Sequence, residues 1–287
     1  MKYRVIKEQS SVYPVRRLCD LLGVSASGYY AWCRCPQRPR VRENATLVWE
    51  MRDIHARIDA SYGSPRMQAE LRGRGFVCGV NRVARLMHAE GLMAKTTVRY
   101  RSLSKAGRRE PPAPNLLNRQ FTVESPNRVW AADITYIPTA EGHLYLAIVM
   151  DLYNRQVVGA AMSSRLGADL VSAALRQALG RRTASPGLIH HSDQDGLYAC
   201  TAYRRLMADH GIIPSMSRKG NYLDNACVES FFGLLKREKA AFERYRTRQE
   251  AQEALFRWIE VHYNRVRRHT TLDNKSPVEY ERTRNRP

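Results

Sequence analysis

No apolar run in this chain approaches the ~20 residues that a membrane-spanning helix needs. The longest, Leu144 to Met150, is strand-sized. The opening residues, Met1 to Glu8, lack the apolar core of a secretory signal. These absences lead us to expect a cytoplasmic protein. The six cysteines (Cys19, Cys33, Cys35, Cys78, Cys200 and Cys227) include no Cys-x-x-Cys pair and no Cys/His spacing suited to zinc. A zinc site is therefore not expected, and the thiols are read as reduced and mostly buried. No internal repeat is evident. Acid is scarce as well, with 27 Asp and Glu against 47 Lys and Arg and a formal net charge of +20.

What is there is a 287-residue chain with 44% hydrophobic residues, enough for two or three domains. Its excess positive charge suggests a polyanionic partner, the alternative being a solvated basic surface with none. Residues 1–120 carry 23 Lys/Arg against 9 Asp/Glu, residues 121–217 carry 8 against 8, and residues 218–287 carry 16 against 10. A neutral centre is thus flanked by two basic segments, an arrangement suited to gripping phosphate on either side.

In residues 1–38, Leu18, Leu21 and Leu22 make an apolar helical stripe that stops at Gly23, and Ser25 is placed to cap a second helix. Helix, glycine turn and capped helix make a helix-turn-helix outline, which many helical hairpins share. Residues 42–100 read as a helical DNA-binding domain. Leu47, Met51, Ile54 and Ile58 recur at helical spacing, Tyr62 to Arg66 breaks the helix, and two further helices end at Gly91. Arg82 and Arg85 on the last of these are candidate phosphate contacts, or an ordinary solvated face. Residues 101–120 combine charge with Pro111, Pro112 and Pro114 and read as a linker rather than a packed element.

From 121 to 287 the pattern changes. Strands are expected at Val129–Ile137, Leu144–Met150, Arg155–Met162, Leu188–Ser192 and Ile212–Met216, with helices near 167–181, 199–210, 225–240 and 247–264. The fold class is therefore α/β, a mixed sheet flanked by helices and preceded by an all-helical region.

Three carboxylates stand out. Asp133 lies mid-strand, on the face with Ala131 and Thr135 and away from bulky Trp130, Ile134 and Tyr136. A mid-strand carboxylate is unfavourable unless it is used or paired. Asp193 closes a strand, and strand ends are common ligand sites in open sheets. Glu229 edges the apolar stripe Val228, Phe231, Phe232 and Leu235, with Asn225, Gly233 and Lys236 on its side of the helix. Taken singly, Asp133 has a salt-bridged structural acid as its lesser alternative, Asp193 reads first as a loop or cap aspartate, and Glu229 is weak evidence because exposed helical glutamates are commonplace. Together they can hold two divalent metal ions, the arrangement that cuts and rejoins phosphodiesters by in-line attack. Arg218, Lys219, Asn225 and Lys236 are candidates for steadying DNA beside them. His190 and His191 are read as strand-end packing residues.

These segments also resemble a family. Asp133 to Ile137, Asp151-Leu152-Tyr153, His191-Ser192-Asp193, Ser217 to Asn221 and Asp224 to Lys236 look like the catalytic core of insertion-sequence transposases. The similarity is to the OrfB type of the insertion sequence 3 family, related to retroviral integrases. Tyr263-Asn264, Arg267, His269, Leu272 and Ser276-Pro277 resemble that family's tail. The resemblance implies a ribonuclease-H-like core, a metal-binding triad of Asp133, Asp193 and Glu229 using magnesium or manganese, and an OrfA partner or fused N-terminal region. It further implies 3′-end nicking and strand transfer on element terminal repeats and target DNA, by a homo-oligomer. Asp195-Gly196 departs from the small residues usual there, and the extra acid either perturbs metal binding or points away. The rival functions are a structure-specific metal-dependent nuclease and a DNA-binding regulator with an inert catalytic domain.

Overall fold

A helix through Leu47, Met51, Ile54 and Ile58 presents one apolar stripe, and in the computed structural model all four side chains are buried. The structure describes residues 2–34, 39–94, 111–219, 221–240 and 242–284. It divides into two units, 1–93 and 94–287.

In the first unit, helices α1 (Lys2–Gln9), α2 (Val15–Leu21) and α3 (Ala26–Arg34) close on Ile6, Cys19 and Tyr29. Gly23 turns the chain with φ +61°, and the Gly28 N–H donates to Ser25 Oγ at 3.1 Å, capping α3 as expected. Helices α4 (Pro39–Arg57), α5 (Ser64–Gly73) and α6 (Val80–Ala89) form a second core, where Met67, Leu71, Val83 and Met87 join the α4 stripe. Ser64 and Pro65, expected to lie in the break, open α5 instead, because proline is well tolerated in a helix's first turn.

The second unit holds strands β1 (Val129–Thr139), β2 (Gly142–Asp151), β3 (Val157–Ser163), β4 (Ile189–Ser192) and β5 (Ile213–Met216). Their order is β3-β2-β1-β4-β5. The first three strands pair antiparallel, and β4 and β5 add in parallel. Alternation along β1 sends Trp130 and Ala132 into a core covered by α7 (Ala168–Arg181) and α8 (Thr201–Asp209). Ala131 and Ile137 enter the opposite core, under α9 (Ala226–Leu235) and α10 (Arg248–Arg257). The two expected long helices widen partway, α9 into a π-helix over Lys236–Ala240 and α10 into another over Trp258–Val266. Helix α11 (Pro277–Arg284) ends the described chain. This is the mixed sheet flanked by helices that the sequence led us to expect.

Helix α7 approaches β3 at Gly159. A Cβ built there would lie 2.1 Å from the Ala174 carbonyl oxygen and 3.0 Å from the Ala178 Cβ. Since the obstacle is backbone, Gly159→Ala must push the helix off the sheet. We expect a loss of about 3 kcal/mol, the upper end for overpacking, read as a melting temperature lower by roughly 5–10 °C. An unchanged melt would mean that the layers are less tightly apposed.

Two expectations are corrected. The end of the anticipated linker, residues 111–120, packs on the second unit. Leu117 is buried in its core, Met216 N–H donates to the Pro114 carbonyl at 3.3 Å, and Leu116 N–H donates to Ser215 Oγ at 2.9 Å. One well-placed leucine and a set of backbone hydrogen bonds outweigh the proline content. Residues 101–110 lie outside the described residues. Nor are the cysteines mostly buried: Cys19 is, Cys33 is exposed, and Cys78, Cys200 and Cys227 are half-buried, all five free. Cys35 lies outside the described residues. Among the described residues no helix is long and apolar enough to cross a membrane.

Candidate active site

Strands β1 and β4 pair through Trp130–His190 and Ala131–His191. Continuing that register by two residues brings Asp133 alongside Asp193, where β4 has ended and the two strands part. The charge of Asp193 acts on the Asp133 carboxyl, so the two acids share one neighbourhood. Helix α9 supplies the third acid. The Asn225 side chain donates to the Ala132 carbonyl at 3.1 Å, tying the start of the helix to β1 one residue before Asp133. Glu229, about one turn further along, is exposed.

The electrostatics link the three. Burial pushes the Asp133 carboxyl well above its ordinary value, and the charges of Asp193, Glu229 and Asp195 add to this, against a bond from the Ile134 N–H. Glu229 is raised by burial and by Asp193. Lys236 lies with Nζ 5.4 Å from the Tyr136 ring centroid. Burial lowers its ammonium pKa while Asp133 opposes the shift, so it belongs to the same field.

Among the described residues, no three His, Cys, Asp or Glu side chains converge closely enough to form a metal cage unaided. The donor chemistry nonetheless fits a divalent cation. Three carboxylates are hard oxygen donors, and the repulsion that raises Asp133 and Glu229 is what a 2+ charge relieves. The histidines are occupied elsewhere, as expected. His190 Nε2 meets Tyr203 Oη at 3.0 Å, and His191 lies between Ser215 and Ser217 at 2.9 and 3.1 Å. Burial lowers both imidazoles to about 4, leaving them neutral.

Asp195 shapes the loop that follows Asp193. Its N–H donates to Asp193 Oδ1 at 3.1 Å, and its own Oδ1 accepts from Leu197 N–H at 3.0 Å. The extra carboxylate thus caps its own turn, although its charge still reaches Asp133.

The other expected contacts divide into two groups. Lys219 and Arg85 are exposed. Asn225 is buried and holds α9 to β1. Arg82 donates to Asn44 at 2.7 and 2.9 Å and to Glu43 at 3.0 Å, fastening α6 to α4. Arg218 grips Asp224 through Nε and Nη2 at 2.9 and 2.8 Å. Geometry gives these last three internal partners that helical spacing alone does not reveal.

Asp224, which spacing does not single out, is a further anchor. It is fully buried, and Arg119 Nε and Asn115 Nδ2 also donate to it, at 2.8 and 3.0 Å. The hydrogen bond from Arg218 is the main cause of a pKa far below the usual carboxylate range. One carboxylate therefore joins the 111–120 strap, the loop after β5 and the approach to α9. Its sequence signals are its place five residues before Glu229 and at the head of the Asp224 to Lys236 segment that carries the resemblance. We expect Asp224→Asn to slow DNA cleavage about 10- to 100-fold, as loss of a supporting partner typically does, with Arg119→Ala milder and Arg119→Lys partly restoring. Single-turnover rates check this, and equal rates in all four proteins would reduce Asp224 to a packing residue.

Residues 123–222 and 210–277 match integrase core domain families, and residues 42–100 match an HTH-like domain. The HTH-like match falls on the second helical block, residues 42–100. Transposase InsF for insertion sequence IS3A of Escherichia coli (strain K12) is 38% identical over 285 residues, covering 98% of each chain. The insertion element IS600 uncharacterized 31 kDa protein of Shigella sonnei is 41% identical over 263 residues, 92% of this chain and 97% of that one. Among solved structures, the simian T-cell lymphotropic virus intasome in complex with PP2A regulatory subunit B56 gamma aligns with TM-score 0.46 and 16% identity, over 82% of this chain and 76% of that one. The HTLV-2 integrase catalytic core domain in complex with magnesium aligns with TM-score 0.41 and 14% identity, over 54% and 97%.

Proposed function

The chain belongs to the transposases of the insertion sequence 3 family, and on that premise we propose that Asp133, Asp193 and Glu229 are its catalytic, metal-holding triad. The observation that carries this reading is that α9 is tied by Asn225 to β1 one residue before Asp133, while β4 runs parallel to β1 up to Ala131–His191, two residues before Asp193; the influence of the acids on one another agrees with it. The triad would hold two divalent ions, magnesium or manganese, which when bound supply charge to the attacking and leaving oxygens of an in-line displacement at phosphorus. The reaction is nicking at the 3′ end of the element, followed by transfer of that end to another phosphodiester.

The chain's own residues prepare the site. Asn225 fixes the start of α9 against β1, about one turn before Glu229. Gly233 leaves open space on α9, since a Cβ there would meet nothing within 4 Å. Lys236, beside Tyr136 and under the influence of Asp133, is placed to meet a phosphate. Lys219 and Arg85 are exposed cations suited to the DNA backbone. Arg218, Arg82 and Asn225 act by supporting the fold. No covalent enzyme–DNA link is needed.

DNA is the partner, through the terminal repeats at the active site and through the helical domains 1–38 and 42–100. The 121–287 segment is the catalytic core, with residues 101–120 leading into it. An OrfA partner or fused N-terminal region is supported by the family resemblance, and self-association by the need to bring two ends together. The test is to incubate the chain with labelled DNA bearing its own element's ends, with and without manganese, and to resolve products by length. Metal-dependent nicks together with joined products are expected. Nicks that never join would favour a structure-specific nuclease, and binding with neither product an inert regulator.

A further inference from the structure

The loop that follows Asp193 carries a buried tyrosine that the chemistry above does not use. Tyr198 is 2% exposed and belongs to the core under α7 and α8, with Trp130 and Ala132 of β1. Three hydrogen bonds in series lead to it from Asp193. The Asp195 N–H donates to Asp193 Oδ1 at 3.1 Å, the Leu197 N–H to Asp195 Oδ1 at 3.0 Å, and the Tyr198 N–H to the Asp195 carbonyl at 3.2 Å. The Tyr198 ring stands edge-on to Tyr203, with centroids 5.5 Å apart at 78°. It lies 6.3 Å from the ring of His190, which pairs with Trp130 where β1 meets β4. That pairing stops at Ala131–His191, two residues short of Asp133, and the loop carrying Tyr198 leaves β4 just beyond it.

The two tyrosines differ in one respect. The Tyr203 hydroxyl meets His190 Nε2 at 3.0 Å, whereas the Tyr198 hydroxyl is buried with no hydrogen-bond partner among the described residues. A buried hydroxyl left so is destabilising, and native interiors rarely keep one without a use. Phenylalanine would fill the same space. Burial raises the hydroxyl's pKa well above its ordinary value, and the neighbouring Asp133, Tyr203, Asp193 and Asp195 add to the shift. It therefore keeps its proton, and to an ionised carboxylate a hydroxyl can only donate. Asp133 has the matching need. Among the described residues its side chain accepts from the Ile134 N–H alone, at 2.7 Å to Oδ1. A carboxylate that holds a metal ion is ionised, and it is held in turn by hydrogen bonds of its own.

We propose that Tyr198 is a positioning residue for the triad: in the metal-loaded protein its hydroxyl donates to the Asp133 carboxylate and holds that acid in place. The inference rests on the triad reading and deepens it. Asp195, the acid by which this chain departs from the family pattern, builds the turn that carries the ring.

Tyr198→Phe removes the hydroxyl and keeps the ring, so stability and metal binding should part company. Melted without metal, the full-length variant should be at least as stable as the wild type, since a polar group without a partner is gone. Titrated calorimetrically with manganese, it should bind about 10- to 100-fold more weakly, the usual effect of removing a ligand's supporting partner. Tyr203→Phe is the control. It removes a hydroxyl bonded to His190 and should lower the melting temperature while leaving manganese binding unchanged. Equal manganese affinity in Tyr198→Phe and the wild type would overturn the proposal. So would a lower metal-free melting temperature in that variant, which would mean that the hydroxyl already has a partner. An equal loss of affinity in Tyr203→Phe would also overturn it, by tracing both losses to a loosened core. A wild-type protein that binds no manganese would instead sink the triad itself, and this inference with it.

Discussion

Asp133→Asn is expected to lower end nicking and joining on the order of 10³-fold or more, since each metal-based contribution to phosphoryl transfer is several kcal/mol. Affinity for DNA should change little, because the acid meets the chain's own carboxylates and not a phosphate. The same change should leave the metal-free protein as stable as before, or more so. Burial, Asp193 and Glu229 raise the Asp133 carboxyl in the folded state. A group raised on folding favours the native state when protonated, and that contribution is lost as pH rises through its folded pKa. As pH rises above the ordinary carboxylate range, burial and the neighbouring carboxylates therefore cost the native state stability that asparagine does not lose. The melting advantage of Asp133→Asn should appear near pH 7 and close as pH falls through the ordinary carboxylate range. Asp193→Asn and Glu229→Gln should lose activity to a similar degree. Single-turnover nicking paired with thermal melts measures both halves, and a variant that nicks at near wild-type rate would remove its residue from the triad.

Arg267→Met is expected to cost about 3–5 kcal/mol of stability, the usual consequence of stranding one charge of a buried pair. Arg267 is 2% exposed and donates through Nε and Nη2 to both oxygens of Glu238 at 2.9 and 2.8 Å. His262 lies 3.9 Å from the same carboxylate. Burial alone would raise the Glu238 carboxyl, yet His262 and Arg267 hold it down at about 2. A depressed carboxylate contributes stability above its unfolded pKa and loses it as pH falls towards its folded one. The wild-type advantage should therefore be largest at neutral pH and shrink below about pH 4.5, near the ordinary glutamate value. Glu238 lies in the π-helical continuation of α9, so the pair ties that helix to the C-terminal segment. A Glu238→Leu/Arg267→Met double variant should recover much of the loss, because an apolar pair carries no buried charge. Equal melts for the single variant and the wild type across pH would show that the bridge is unimportant.

Much of this architecture follows from short-range pattern. Strand alternation put Asp133 on the opposite face from Trp130, and the two sides of β1 do enter different cores. The stripe Val228, Phe231, Phe232 and Leu235 correctly oriented α9. What pattern could not supply was long-range pairing. Asp224 receives Arg119 from 105 positions away, and no periodicity announces that bond. The strap at 111–120 looked like a linker because its composition is local while its anchors on Ser215 and Met216 are distant. Arg82 looked free on its helix for the same reason, until α4 supplied Glu43 and Asn44. The widening of α9 and α10 into π-helices has no evident cause in their sequences.

Calorimetric titration of manganese into the DNA-free chain and into Asp133→Asn, Asp193→Asn and Glu229→Gln tests the triad most directly. The wild-type protein should bind divalent ions saturably, and each variant should bind them more weakly. Binding of equal strength in all four proteins would contradict it, because the ions would then be held somewhere other than between β1, the end of β4 and α9.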